Sequence, residues 1–433
     1  MKNKKLYFLG LGISNLAVIE KLAPNNEIFF YDDKIGKHND LKFVHYDEID
    51  FSEIDYFVVA PSVPLQYPKA HPAIIKAKQA KTTIIGDIEL FFMQFEKVPK
   101  IVAVTGTNGK STTTKLIHFI LSNKIEQSVY FGGNIGVPMF ELPIDSEALY
   151  VIEVSSFQLD LLQELEFSYS VLLNITPDHL DRHNDLEGYV KAKMRIFQNN
   201  KTENIAVLCS DNPITYSIFE TVENTKVKFS CDEIKQKNDG IYYKSFNILN
   251  NFLEIKKFSN PQNLIAALII AEMQGVDLTN IKDLLLDFDP LEHRFEKVLQ
   301  YENITIYNDS KATNADSTEN ALKQLDNILW IAGGVAKEGG IKSLKKYFTK
   351  IKKVYLFGDS EQLFYKQIDN MIETELYKND FAKLVNEAIR DAKLENAKQI
   401  NILFSPACAS FDMFANFAAR GKAFKNLVRE ILT

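Results

Sequence analysis

The chain has 433 residues, of which 46% are hydrophobic and 25% charged, and a formal net charge of −7 at pH 7. This length exceeds what one ordinary core organises, so two or three domains are expected. The acidic balance without a basic cluster argues against nucleic acid as the main partner. No apolar run approaches the roughly 18 residues of a membrane span, which excludes membrane insertion. The three cysteines are scattered without metal-ligand spacing, which suits a protein of the reducing cytoplasm.

The first block opens with "KLYFLGLGISNLAVIEKL", which predicts a short strand, a glycine turn and a helix. Further strands are predicted at "NEIFFYDDK", "YFVVA" and "TTIIG". Gly10 and Gly12 fit a dinucleotide-binding turn, but Asn15 stands where that fold has its third glycine. A nicotinamide-dependent enzyme is therefore the lesser alternative for this block.

The second block begins at "VPKIVAVTGTNGKST", and the third begins after Pro290. In the second, strands at "IVAVT", "LYVIEV", "SVLLNI" and "NIAVL" alternate with helical segments, which predicts a parallel sheet. The third repeats this pattern with "ITIYND", "ILWIAGG", "KVYLFG" and "INILFS", followed by an amphipathic helix over "FDMFANFAARGKAFKNLVREIL". The sequence thus predicts three α/β domains, over residues 1–94, 95–290 and 291–433.

The stretch "TGTNGKST" follows a predicted strand and precedes a predicted helix, as a phosphate-binding loop does. Gly106 and Gly109 allow backbone N–H groups to converge on phosphate oxygens at the positive end of the helix. Lys110 can reach the outer phosphates, and the Ser111 hydroxyl can bind Mg²⁺. The loop is a variant, because Val104 stands where the usual pattern has a glycine. Nucleotide binding is predicted; the loop alone does not say whether a kinase, a switch or a ligase uses it.

Three residues of the second block suit metal chemistry. Glu153 ends the strand "LYVIEV", where ligands gather in open α/β sheets, and His179 follows the strand "SVLLNI". Lys193 shares a helix face with Tyr189 and Ile196, so it points among apolar neighbours. Its amine either reaches water along an apolar stem or is held neutral by desolvation. A neutral amine can add CO₂ and become a carbamate, an anionic metal ligand.

Together these features resemble the Mur ligases, the ATP-dependent amino-acid-adding enzymes of peptidoglycan synthesis. The resemblance covers nearly the whole chain and rests on the joint order of separated motifs. These motifs are "TGTNGKST", "GGNIG", "EVSSFQL", "DHLDRH", "AKMRIF", "HRFE", "NDSKATN" and "SPACASFD". The resemblance implies a Rossmann-like domain for UDP, a central ATPase-type parallel sheet for ATP, and a Rossmann-like domain for the amino acid.

The resemblance also implies the substrates, cofactors and residue roles. The substrates would be ATP, UDP-N-acetylmuramoyl-L-alanine and D-glutamate, and the protein would be a monomer. Two Mg²⁺ ions are implied, one on Ser111 and Glu153 and a second on His179 and carbamylated Lys193. The implied catalytic set is Lys110, Glu153, His179 and Lys193. The implied ATP contacts are Gly106, Thr107, Asn108, Gly109, Lys110, Ser111, Thr112, Asn263, Arg294, Asp309 and Lys311.

Two further groups of contacts follow from the same resemblance. For the UDP substrate they are Ile13, Ser14, Asp32, Asp33, Lys34, Asn134, Ser155 and Gln158. For D-glutamate they are Thr313, Lys337, Ser410 and Phe417. A cation and hydroxyl donors suit the oxygens of a dicarboxylate.

The implied reaction activates a carboxylate as an acyl phosphate, which the amine of the amino acid then attacks. Three alternatives stay open: another Mur or folylpolyglutamate-type ligase, a kinase, and a nucleotide switch without catalysis. The motifs "SPACASFD" and "HRFE" favour the addition of D-glutamate, and the possible metal ligands speak against a switch. The residue that deprotonates the amine, His179 or a nearby carboxylate, is left open.

Overall fold

The computed structural model describes residues 1–36, 41–67, 69–199, 203–258, 260–337 and 339–432. Its strands form three main β-sheets, one in each predicted α/β block. The pattern of contacts divides the chain into two compact units. The first contains residues 1–248 and 261–285, and the second contains residues 249–260 and 286–433.

The N-terminal sheet has five parallel strands. They are β1 (Lys5–Leu9), β2 (Glu27–Tyr31), β3 (Lys42–Phe43), β4 (Tyr56–Val59) and β5 (Thr83–Ile85). The helices of this block are α1 (Ile13–Leu22), α2 (Pro72–Gln79) and α3 (Asp87–Phe92). The strands lie in the order β3-β2-β1-β4-β5, with β1 in the centre. The glycine turn after β1 therefore opens at the middle of the sheet's carboxyl edge, where α/β sheets bind ligands.

The central sheet has six parallel strands. They are β6 (Lys100–Thr105), β7 (Val129–Gly133), β8 (Leu149–Glu153), β9 (Tyr169–Leu172), β10 (Ile205–Cys209) and β11 (Thr225–Phe229). The helices among them are α4 (Lys110–Lys124), α5 (Ser156–Leu159), α6 (Leu180–His183), α7 (Leu186–Met194) and α8 (Pro213–Thr221). The strand order is β11-β10-β9-β6-β8-β7, so β6 lies between β9 and β8. This order brings the ends of "IVAVT", "LYVIEV" and "SVLLNI" side by side.

A small three-stranded sheet follows the central one, over a polar stretch of the sequence. Its strands are β12 (Ile234–Lys237), β13 (Gly240–Tyr243) and β14 (Phe246–Leu249). The helices α9 (Pro261–Met273) and α10 (Ile281–Asp287) come next in the chain.

The C-terminal block holds a six-stranded sheet and a two-stranded ribbon. The strands are β15 (Glu296–Tyr301), β16 (Ile304–Asn308), β17 (Ile328–Gly333), β18 (Val335–Ala336), β19 (Ile351–Phe357), β20 (Glu373–Leu376), β21 (Ile400–Phe404) and β22 (Cys408–Ala409). The helices are α11 (Ala315–Gln324), α12 (Glu361–Ile368), α13 (Phe381–Leu394) and α14 (Phe417–Leu432). The large sheet has the order β15-β16-β21-β17-β19-β20, and β18 pairs with β22.

The predicted α/β class and the parallel pairing are confirmed, except that the edge strand β15 of the C-terminal sheet is antiparallel to β16. The apolar runs form parallel strands because helices cover both faces of such sheets. The last helix differs from its prediction: it begins at Phe417, and residues 411–416 form turns. The side chain of Asn416 accepts a hydrogen bond from the backbone N–H of Ala419 at 2.8 Å, which caps the helix there.

The predicted seam near Phe95 lies inside the first unit. Phe91, Phe92 and Phe95 surround the ring of Tyr150 on β8, with centroids 5.5–5.8 Å away. Tyr150 and residues of β1 such as Leu6 belong to the same buried cluster. The first two blocks thus share one apolar core. Among the described helices, none combines the length and the apolar character that crossing a membrane requires.

Candidate active site

The phosphate loop joins β6 to α4 at the centre of the central sheet, as the sequence predicts. Gly106 has φ +157° and Gly109 has φ +88°. A Cβ atom on Gly109 would lie 2.2 Å from Oδ1 of Asn263, so only glycine fits this position. Asn263, predicted to contact adenine, therefore packs directly against the loop.

Asn174, which sequence reasoning missed, holds the loop in place. Its side-chain oxygen accepts from the backbone N–H of Asn108 at 2.9 Å, and its amide donates to the Asn108 carbonyl at 3.1 Å. The Thr107 hydroxyl donates to the carbonyl of Thr176 at 3.1 Å. These bonds preorganise the backbone that is predicted to bind phosphate oxygens. Asn174 lies two residues after the end of β9. It reaches the loop only because β9 lies next to β6 in the sheet.

Lys110 begins α4, and its ammonium donates to the carbonyls of Gly106 at 2.9 Å and Thr107 at 2.8 Å. The side chain thus folds over the loop, where an outer phosphate would lie. Ser111 and Thr112 are buried on the first turn of the helix. The predicted phosphate contacts are therefore together in one loop and one helical turn.

Glu153 ends β8 beside the loop strand, in register with Val104 of β6. One oxygen of this buried carboxylate accepts from the amide of Asn134 at 2.7 Å. A Cβ on Gly133 would lie 2.3 Å from the Glu153 carbonyl, so the glycine permits the close approach of β7. Asn134, predicted to contact the UDP substrate, thus contacts Glu153, predicted to bind the metal.

The Lys193 amine is 1% exposed and lies against the phosphate loop. It donates to the carbonyl of Gly106 at 2.8 Å and to the Thr105 hydroxyl at 3.4 Å. Burial lowers its pKa well below the usual value, and the charge of Lys110 lowers it further. Glu153 acts in the opposite direction without outweighing them. The helix-face prediction is confirmed, and the reading in which this amine reaches water is excluded.

His179 lies at the start of α6 with a left-handed backbone, φ 54°. Its imidazole is 41% exposed, stacks edge-on against Phe157 with centroids 4.9 Å apart, and lies 3.7 Å from a carboxylate oxygen of Asp178. This ring is accessible to a ligand, unlike the buried groups around it.

A second histidine, His183, is a functional candidate that sequence reasoning missed. Its Nε2 lies 2.9 Å from the Ser156 hydroxyl, and its Nδ1 lies 3.7 Å from a carboxylate oxygen of Asp160. Burial lowers its pKa to about 4, and the nearby cation Arg182 contributes. The ring is therefore neutral at pH 7 and joins α6 to the first turn of α5. His183 is the final residue of the motif "DHLDRH", so the sequence did contain a signal for it.

The residues predicted for UDP surround the glycine turn of the N-terminal sheet. Ile13, at the start of α1, is 77% exposed, so its side chain is accessible to a ligand. Asp32 accepts from the backbone N–H groups of Leu11 at 2.8 Å and Lys34 at 2.8 Å. Burial would raise the pKa of Asp32, but these donors outweigh it and lower the pKa. Asp33 and Lys34 point toward solvent.

The other predicted UDP contacts lie where the first two blocks meet. Ser155 and Gln158 form a capping box at the start of α5, with the Ser155 backbone N–H donating to the Gln158 side chain at 3.1 Å. The Ser14 hydroxyl and the Gln158 side chain both face the carboxyl group of Asp87. Asp87 is 1% exposed, and among the described residues the Ser14 and Gln158 side chains approach its carboxyl group without forming a well-aligned hydrogen bond to either oxygen. Sequence reasoning missed this buried carboxyl.

Asp87 predicts a pH dependence of stability. Burial raises its pKa to about 6, against about 3.9 in an unfolded chain. The folded state therefore holds the proton more tightly and loses stability as pH rises between these values. Because Asp87→Asn cannot ionise, its unfolding free energy relative to wild type should rise by about 2–3 kcal/mol from pH 4 to pH 6.5. Urea unfolding across this range measures the difference.

The exposed Asp283 on α10 provides a control, since Asp283→Asn should change little between the same pH values. A difference between Asp87→Asn and wild type that stays constant with pH would contradict the raised pKa.

The C-terminal unit holds the remaining predicted residues. His293 and Phe295 have left-handed backbones, φ 64° and 48°, on either side of Arg294. The carboxylate of Asp309 accepts from the Phe295 backbone N–H at 3.0 Å and from the Ser405 hydroxyl at 2.7 Å. Burial raises the pKa of Asp309 to about 7. Asp309 thus fixes the strained turn that presents Arg294.

Three of the four residues predicted for D-glutamate, Thr313, Ser410 and Phe417, lie on segments that meet at α14. The Lys311 ammonium lies 3.8 Å from the centroid of the Phe417 ring. Arg420, fully buried, donates to the carbonyls of Ser310 at 2.8 Å and Cys408 at 3.0 Å. Arg420 was missed by sequence reasoning, and it joins the segments that lead to Thr313, Ser410 and Phe417. Burial raises the pKa of the Cys408 thiol to about 12, which rules it out as a nucleophile.

Two family models match the chain. Residues 104–270 match the Mur ligase middle domain, and residues 293–408 match the Mur ligase, glutamate ligase domain. Among curated proteins, a UDP-N-acetylmuramoylalanine--D-glutamate ligase of Rickettsia bellii is 36% identical, covering 98% of this chain and 97% of its own length. The protein of the same name from Caulobacter vibrioides is 35% identical and covers 99% of this chain and 96% of its own length.

Two solved structures share the fold at low identity. The MurF ligase of Thermotoga maritima in complex with ADP aligns with a TM-score of 0.61 and 16% identity, over 100% of this chain and 96% of its own. The UDP-N-acetylmuramate-alanine ligase MurC of the same organism aligns with a TM-score of 0.59 and 18% identity, over 99% of this chain and all of its own.

Proposed function

The chain belongs to the Mur ligase family, and from this premise we propose that it joins D-glutamate to UDP-N-acetylmuramoyl-L-alanine with ATP. The observation that carries the proposal is 36% identity over 98% of the chain to a D-glutamate ligase. The products are an amide, ADP and phosphate, in the synthesis of peptidoglycan precursor. The enzyme works in the cytoplasm as a monomer.

The phosphate loop provides the first step, in which ATP activates the terminal carboxylate of the UDP substrate. A carboxylate is a poor acyl donor because its leaving oxygen is too basic. Transfer of the γ-phosphoryl group makes an acyl phosphate, from which phosphate leaves readily. Lys110 and the loop N–H groups stabilise the charge on the transferring group, since they are already in place before the reaction. Asn263, against Gly109, borders the adenine site.

The residues around the loop suit Mg²⁺. The hydroxyl of Ser111 and the carboxylate of Glu153 are hard oxygen donors, and both are buried beside the loop. Among the described residues, no three His, Cys, Asp or Glu side chains cluster tightly enough to hold a metal alone. This fits Mg²⁺, which usually binds one or two protein oxygens and completes its shell with phosphates and water. When bound, Mg²⁺ neutralises charge on the phosphates.

We propose that Lys193 carries a carbamate that, with His179, holds a second Mg²⁺. Its burial and its lowered pKa support this, because both favour the neutral amine that adds CO₂. The reaction forms an N–C bond and releases one proton. Carbamylation turns this neutral amine into an anion next to the Lys110 ammonium, so the two side chains attract each other.

The C-terminal unit would supply the amino acid. Lys337 pairs with a carboxylate of D-glutamate, and Thr313, Ser410 and Phe417 complete its site. Arg294, Asp309 and Lys311 contact the nucleotide. The amine of D-glutamate attacks the activated carbonyl, forming a tetrahedral intermediate that expels phosphate. The amine must first lose a proton, either to His179 or to a nearby carboxylate.

A phosphate-release assay tests the substrate assignment. With UDP-N-acetylmuramoyl-L-alanine and ATP, we expect phosphate release with D-glutamate and essentially none with L-glutamate, L-alanine or L-lysine. Release only with a different amino acid would assign the chain to another ligase of the family. A stable phosphorylated product without an amide would instead identify a kinase.

An isotope label tests the acyl phosphate. If the terminal carboxyl oxygens of the UDP substrate carry heavy oxygen, one labelled atom must appear in the released phosphate. Unlabelled phosphate would contradict the proposed first step, even if an amide forms.

A further inference from the structure

The loop that carries Lys337 is held at both ends. At its start, β18 pairs with β22, with Val335 opposite Ala409, directly before Ser410. At its end, Ile341 is fully buried in the apolar core of the C-terminal sheet. Between these anchors the chain contains Gly339 and Gly340, both with positive φ, +85° and +59°. Glycines supply no side chain to hold the loop.

One side chain from outside the loop fixes its end. Gln367 on α12 accepts from the backbone N–H of Ile341 at 2.7 Å and donates to the carbonyl of Gly339 at 3.1 Å. A Cβ on Gly340 would lie 2.5 Å from the Gln367 oxygen, so the loop backbone rests directly on this amide. The Gly340 N–H in turn donates to the Lys337 carbonyl at 3.1 Å. The Gln367 amide thus connects to Lys337 through its own bonds to Gly339 and Ile341 and the bond from Gly340 to the Lys337 carbonyl.

The position of Gln367 indicates that the amide serves the loop. It is 8% exposed on the core-facing side of α12, between Phe364 and Ile368. A buried amide contributes little to an apolar core and is unfavourable unless it is hydrogen-bonded. Methionine has the same reach and no polar group, so it would fill this position without bonding to the loop.

We propose that Gln367 is a positioning residue for the amino-acid site: it fixes the loop that presents Lys337 to a carboxylate of D-glutamate. This inference rests on the proposed function, since it takes D-glutamate as the ligand of Lys337. A flexible lysine must lose conformational freedom to bind a carboxylate, and a loop already in place lowers that cost. Gln367 therefore affects the affinity for D-glutamate and leaves the phosphate loop, in the other unit, unaffected.

Steady-state kinetics of Gln367→Met test the inference. Loss of two hydrogen bonds should raise KM for D-glutamate about tenfold. The KM values for ATP and the UDP substrate, and kcat at saturating D-glutamate, should stay within about twofold of wild type. A merely destabilised protein would lose active enzyme and hence kcat, without this selective change in KM. Thermal unfolding confirms that the variant is folded.

Gln362→Met is the matched control, because Gln362 is on the same helix, is exposed and, within the described part of the chain, bonds only to Glu361. This substitution should leave kcat and the KM values for D-glutamate, ATP and the UDP substrate unchanged. Lys337→Met separates the two hypotheses. If it raises KM for D-glutamate while Gln367→Met does not, the inference is overturned and the proposed function stands. If Lys337→Met leaves KM unchanged, the loop contributes no amino-acid contact and the inference is also overturned. If wild type releases no phosphate with D-glutamate, the proposed function fails, and the inference fails with it.

Discussion

Lys110→Ala should lower the rate of D-glutamate-dependent phosphate release by at least about a thousandfold. Removing a single neutral donor from a charge-stabilising site costs about 10²–10³ in rate, and Lys110 also carries a full positive charge. Its ammonium lies 2.8–2.9 Å from the carbonyls of Gly106 and Thr107, directly over the phosphate loop. Alanine leaves the charge of the transferring phosphoryl group uncompensated. Phosphate release at saturating ATP, with the folded state checked by thermal unfolding, measures the loss.

Lys124→Ala is the control for this prediction. Lys124 is the last residue of the same helix, is exposed and lies far from the loop. Its loss should leave the rate unchanged, because a single exposed lysine contributes little to either stability or the site. If Lys110→Ala retained a tenth or more of the wild-type rate, the proposed role of the loop in phosphoryl transfer would be wrong.

Lys193→Ala should abolish turnover to a comparable extent, and depletion of CO₂ should reversibly depress turnover of the wild type. Both effects follow from a carbamate on an amine that is 1% exposed and lies 2.8 Å from the Gly106 carbonyl. The variant loses the proposed metal ligand, and CO₂ removal returns the wild-type side chain to an unmodified amine, which lacks the anionic oxygens proposed to bind Mg²⁺. Adding bicarbonate back should restore the turnover rate of the wild type and leave Lys193→Ala inactive. Rates in degassed and bicarbonate-supplemented buffers give the comparison.

Lys191→Ala is the matched control on the same helix, because Lys191 is exposed and pairs with Glu187 on the surface. It should behave as wild type in both buffers. An intact-mass increase equal to one CO₂ in the wild type, absent from Lys193→Ala, would support the carbamate directly. A wild-type rate that is indifferent to CO₂ would refute the carbamate and leave the role of the phosphate loop intact.

The residues that sequence reasoning found share one property: their signals lie within a few positions of one another. Strand, glycine loop, lysine and helix stand together in "IVAVTGTNGKST", and each requirement, such as the left-handed backbone of Gly109, is local. The apolar helix face that predicts a buried Lys193 also spans only two helical turns. Local sterics and hydrophobic periodicity act between residues a few positions apart, so both can be recognised in a single sequence.

The missed residues depend on contacts between distant segments. Asn174 holds Asn108 from 66 positions away, and Arg420 bonds to Ser310 from 110 positions away. Neither has a local pattern, because asparagine and arginine occur at many surface positions for which no such partner exists. The strand order of the sheets decides which of them meet.

The sequence by itself therefore determined the α/β class, the phosphate loop, the inward Lys193 and the order of the three blocks, since these follow from local backbone preference and apolar spacing. Only the tertiary structure decided that the first two blocks share a core around Tyr150 and that Asp87 is buried between Ser14 and Gln158. It also decided that Gln367 reaches the loop of Lys337. The physical reason is that burial and hydrogen bonding depend on which segments pack together, and packing is a property of the whole chain.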